Sequence, residues 1–106
     1  MKAAYAIPVA NKTRSQLWED SCKAYKHITE KGYEMGDAPL TKEEYSYEAF
    51  AEQGVKNNAL YVFAKILEAM SKSDAVYFGE GWECDIETTL QHEIAKTYGL
   101  KIIYEE

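Results

Sequence analysis

A chain of 106 residues, 46 % apolar and 28 % charged, holds enough for one hydrophobic core and too little for two, so a single domain over residues 1–106 is expected. Its 18 acidic against 12 basic side chains give a formal charge of −6, which repels phosphate backbones and anionic lipid and argues against nucleic acid or a membrane surface as partner. Cys22 and Cys84 stand alone and far apart, so neither a disulfide framework nor a zinc site is signalled, no metal or cofactor is implied, and a reducing cytoplasm is the expected setting.

The apolar start Ala3 to Ala10 has the look of a leader, but Pro8 interrupts it and Asn11-Lys12-Thr13-Arg14 follows without a cleavage region, so Ala3–Ile7 reads as a first strand. Thr13 to Gln16 has capping-box form, and Leu17, Ala24, Tyr25 and Ile28 recur at helical spacing up to Gly32, a natural C-terminal glycine. Tyr33–Met35 reads as a short second strand and Gly36-Asp37-Ala38-Pro39 as a turn. Residues 41–53 place Thr41 and Glu44 in capping-box spacing before Gly54, with a thin apolar face that suits a short surface helix or lid. Leu60, Phe63, Ala64, Leu67 and Met70 form the most regular helical stripe, after which Ala75–Phe78 reads as a buried strand between Asp74 and Gly79. Thr88 and Gln91, in capping-box spacing, open a helix to Tyr98; Gly99 ends it, and Leu100–Tyr104 is the last strand. Strand and helix alternate throughout, which predicts an α/β domain of Rossmann or flavodoxin-like type: an open parallel sheet of order 2-1-3-4 with helices on both faces.

In such a sheet a ligand crevice opens at the C-terminal strand ends where the order reverses, here between the loops after the first and third strands. The first loop, Pro8 to Thr13, leads into a helix N-terminus with Lys12 and Arg14 beside it, a setting that favours an anion; both are equally explained as solvent charges. The second, Gly79 to Asp85, carries two glycines, Trp82 and three acids. Trp82 offers a flat face to a base or sugar, or packs at the edge of the core. Glu83, Asp85 and Glu87 form an acidic cluster for hydroxyl binding or acid/base work, or complement the dipole of the following helix. His27 falls on the polar side of its helix, whereas His92 lies near the crevice, where a lone histidine serves either structure or function.

The stretch from Leu67 to Phe78, then Gly81-Trp82-Glu83, then His92 to Ile103 resembles a small phage- and bacteria-associated branch of the nucleoside 2-deoxyribosyltransferase-like proteins. The Pro8 to Thr13 loop and Glu52 to Asn57 share the likeness, so it spans nearly the whole chain. The resemblance implies a nucleoside or nucleotide ligand, a homo-oligomer and, in active members, cleavage or exchange of the N-glycosidic bond. There a glutamate attacks the anomeric carbon and an aspartate six residues earlier assists around the base, the chemistry of a carboxylate meeting oxocarbenium-like charge. Laid on this chain through Ala95 and Gly99, the aspartate falls on Asp85 and the nucleophile on Gln91. A carboxamide is no nucleophile, though it hydrogen-bonds sugar hydroxyls. Glu87 also replaces the small residue the family favours four positions earlier, and Val9 and Ala10 replace its glycine or asparagine after Pro8, although Asn11 follows.

The resemblance therefore leads to a nucleoside or nucleotide binder. The alternatives are an active transferase or nucleoside-monophosphate N-glycosidase using Glu93, Glu87 or Glu83, and a structural or interaction protein that keeps only the fold. Expected ligand contacts are Pro8, Asn11, Lys12, Arg14, Gly81, Trp82, Glu83, Glu87 and His92.

Overall fold

The computed structural model describes residues 1–9, 11–36, 40, 44 and 46–105. In chain order they form β1 (Lys2–Ala6), α1 (Arg14–Glu30), β2 (Glu34–Met35), α2 (Tyr47–Glu52), α3 (Asn58–Ser71), β3 (Ala75–Phe78), a 3-10 turn (Trp82–Cys84), α4 (Ile86–Thr97) and β4 (Lys101–Tyr104). The sheet is parallel throughout, in the order β2-β1-β3-β4, as the alternation of elements predicts.

Strand alternation sorts the core into two layers. Ala3, Ala75, Tyr77 and Ile103 face α1 and meet Ala24 and Ile28, while Ala4, Ala6, Val76 and Phe78 face the other way and meet Met70 of α3 and Ala95 of α4. All four residues of β3 are buried, the consequence of having a strand on each side and a helix layer on each face.

Short polar side chains fix the helix starts. Thr13 and Gln16 make both halves of a capping box at α1, with N···O distances of 3.2 and 2.8 Å. Asn57 Oδ1 accepts the Leu60 amide at 3.0 Å at the start of α3. Ser46 caps α2, whose Phe50 is fully buried and lies 4.9 Å from the Tyr61 ring, anchoring this short helix to α3.

Several expectations need correction. The cap of α4 is Asp85, whose carboxylate accepts the Thr88 amide at 3.0 Å; the helix begins at Ile86, so Thr88 and Gln91 make no capping box. An acid ahead of the first turn outcompetes the threonine because it satisfies the same donors with a charge that complements the helix dipole. Tyr25, Leu60 and Ala64 match helical spacing but are exposed, since sequence period does not fix how far a neighbouring layer extends. His27 is half-buried, its ring 5.6 Å from that of Tyr77, rather than on the polar surface. Tyr33 precedes β2 instead of forming part of it, and β1 begins at Lys2 and stops before Ile7. The helix expected over 41–53 is observed as Tyr47–Glu52. Thr41 and the Asp37-Ala38-Pro39 turn lie outside the described residues. No helix among the described residues is long and apolar enough to cross a membrane.

Candidate functional site

The loop after β3 is tied at both ends. The Gly79 amide donates to Ala6 O at 3.0 Å, joining the loop to the end of β1, and Gly81 takes a φ of +86° to start the 3-10 turn. At the far end the Thr88 hydroxyl, buried in α4, lies 2.7 Å from Trp82 O, with Thr89 Oγ1 at 3.1 Å from the same oxygen. Asp85 Oδ2 sits 3.1 Å from that Thr88 hydroxyl in addition to capping the helix. The tryptophan backbone is thereby lashed to the first turn of α4.

The side chains above this frame form an aromatic cluster. Trp82 stacks on His92 with ring centroids 4.0 Å apart and planes 19° from parallel. The His92 Nε2 and the Tyr104 hydroxyl are 2.7 Å apart, their donor and acceptor roles set by the tautomer. Phe78 presents a near-perpendicular contact to His92 at 5.1 Å and supports Trp82 at 5.5 Å. Trp82 itself stays half-exposed and borders a groove of about 320 Å³ at the C-terminal ends of β3 and β4. Gly81 and Tyr104 complete its walls, and Glu80, Glu83 and Glu105 bring three carboxylates to it. Glu105 Oε1 accepts the Tyr77 hydroxyl at 2.9 Å; burial first, then the Glu105 contact, holds the Tyr77 pKa well above that of an ordinary tyrosine. The groove thus suits a flat ring with donor groups around it, and disfavours a phosphate.

The loop after β1 is chemically different. Pro8 is buried, Val9 is exposed, and Asn11 adopts a left-handed φ of +61°. Lys12 Nζ lies 2.7 Å from Asp20 of α1, so the cation expected to attract an anion is already paired. Arg14 is exposed at the first position of α1.

Of the other expected residues, Gln91 is 4 % exposed and directs Nε2 to Met70 Sδ at 3.8 Å, filling the seam between α4 and α3 rather than opening to the groove. Glu87 and Glu93 are exposed on α4. The structure therefore gathers Gly81, Trp82, Glu83, Asp85 and His92 around one loop and leaves Gln91 facing α3. Phe78, Tyr104 and Glu105 are not among the residues that the sequence points to, and Glu80 is there only as one of the three acids of the loop. Phe78 and Tyr104 are register partners at the ends of adjacent strands, so order 2-1-3-4 combined with strand alternation was the available signal. Among the described residues no group of three or more His, Cys, Asp or Glu is placed to hold a metal ion. Compared with protein-family models, with curated proteins and with solved structures, the chain has no match.

Proposed function

We propose that this domain binds a nucleoside-type ligand in the groove beside Trp82 without cleaving its glycosidic bond. The observation that carries this reading is the half-exposed Trp82, backed by His92 and set over a groove rimmed by carboxylates. A base stacking on the indole and sugar hydroxyls donating to Glu80 or Glu83 would use both features. Three acids at the groove and the pairing of Lys12 with Asp20 favour a nucleoside over its phosphorylated form. The absence of turnover rests on Gln91: the position aligned with the family nucleophile carries a neutral amide, buried against Met70. The likeness of the Gly81-Trp82-Glu83 loop and following helix to nucleoside 2-deoxyribosyltransferases supports the same ligand class.

The test is a titration of the protein with deoxynucleosides and their 5′-monophosphates by calorimetry, followed by chromatography for free base. Nucleoside binding that is lost in Trp82→Ala, with no base released, is the expected result. Base release abolished by Glu83→Gln would overturn the non-catalytic reading and assign the chemistry to that carboxylate.

A further inference from the structure

The strand order leaves the outer side of β4 unpaired among the described residues, and a groove of about 240 Å³, lined by Lys31 and Tyr33 with β4 itself, runs along it. Open edges of this kind template pairing with another chain. The pattern of hydrogen bonds fixes which groups are free. Lys101 donates its amide to Asp74 O at 3.3 Å and Glu105 donates to Phe78 O at 3.1 Å, so these residues and, by alternation, Ile103 direct their peptide groups toward β3. The N–H and C=O of Ile102 and Tyr104 therefore point outward.

We propose that β4 is the interface with a second copy of this chain, the two strands pairing antiparallel about a two-fold axis through Ile103. This register sets Ile102 opposite Tyr104 of the other copy, twice, so each outward amide meets an outward carbonyl in reciprocal hydrogen-bonded pairs. It also sets Lys101 opposite Glu105 of the other copy, on the same face of the sheet, at both ends of the paired segment. Centring the axis on Ile102 instead brings Lys101 opposite Ile103 and loses that charge pair. Among the two-fold axes that keep the bonding phase, the one on Ile103 is the one that sets Lys101 opposite Glu105.

The flank of α4 agrees with this occupant. Gln91 faces α3, and at about 100° per residue Glu93 and Lys96 lie roughly 200° and 140° around the helix from it, on the side of β4. Each copy thus brings one exposed acid and one exposed base to the flank, which suits a chain that would otherwise meet its own net negative charge. The pairing brings Lys101 of the second copy to Glu105, a wall of the groove beside Trp82, so the assembled site would carry a cation that the single chain lacks there. The dimer itself does not depend on the identity of the ligand.

A strand of this length makes a small interface, so the dissociation constant is expected on the order of tens of micromolar. Sedimentation equilibrium of the wild-type chain should show a monomer–dimer equilibrium in that range, with the amides of Ile102 and Tyr104 gaining protection from hydrogen exchange as concentration rises. Lys101→Glu and Glu105→Lys each oppose like charges at both ends and should weaken self-association by about tenfold or more. An equimolar mixture of the two variants restores both opposite-charge pairs and should form a heterodimer about as tight as the wild type. If Glu105→Lys fails to fold for want of the Tyr77 contact, Lys101→Glu and the exchange data still decide. A wild-type chain that stays monomeric about tenfold above that range, or a dimer unchanged by Lys101→Glu and without protection at Ile102 and Tyr104, overturns the proposal.

Discussion

The loops after β1 and β3 occupy equivalent places in the topology, on either side of the point where strand order reverses, yet they have opposite characters. The first is closed on itself: Lys12 pairs with Asp20, Thr13 and Gln16 consume each other in the capping box, and Pro8 is buried. The second has its backbone held by Thr88, Thr89 and Asp85, and its Trp82 ring and the Glu80 and Glu83 carboxylates face a groove that Glu105, after β4, completes. Topology names the place where a ligand can sit, and local chemistry decides which of the two loops meets it.

The largest effect on this contrast should come from Phe78→Ala. The ring is fully buried at the end of β3 beneath Trp82 and His92, and its removal should cost about 3–5 kcal/mol of unfolding free energy and loosen the aromatic cluster. Chemical denaturation, with tryptophan fluorescence as the probe, measures both. Asp85→Ala should cost about 1–2 kcal/mol, since it removes the cap of α4 and a partner of the Thr88 hydroxyl. Because Thr88 also holds Trp82 O, this variant should weaken ligand binding as well, and an unchanged affinity would show that the lashing of the loop does not position the indole.

The Tyr77 hydroxyl gives a pH signature. Its pKa is raised in the folded chain by burial and by Glu105, so the protonated form is favoured on folding. The stability it contributes is present below the ordinary tyrosine value of about 10 and is lost as pH rises above it. Thermal unfolding across the alkaline range should therefore fall more steeply for the wild type than for Tyr77→Phe. The smallest effect belongs to the other loop: Lys12→Ala removes a partly exposed ion pair, should change stability by about 0–1 kcal/mol, and should leave nucleoside affinity unaltered.

Sheet order, the three longer helices and the buried β3 were legible in the sequence because alternation and helical period act over many residues. The α4 cap was not: Glu83, Asp85 and Glu87 are equivalent as a run of acids, and only the path of the 3-10 turn selects Asp85. The groove was half legible. Gly81 and Trp82 advertise a loop, but Phe78, His92 and Tyr104 come from three separate elements and meet only when β3 and β4 lie in register. The direction of Gln91 was not legible either: the resemblance marks the position, but that its side chain turns to Met70 depends on how α4 lies against α3, which spacing along the chain does not fix.

The most direct measurement is a calorimetric titration of a deoxynucleoside panel into the wild-type chain, Trp82→Ala and Lys12→Ala, with the end-point mixtures analysed for free base. Binding that Trp82→Ala abolishes, that Lys12→Ala leaves intact and that yields no free base is the result predicted here. Binding that survives Trp82→Ala but fails in Lys12→Ala would place the ligand at the loop after β1 and contradict the assignment of the groove.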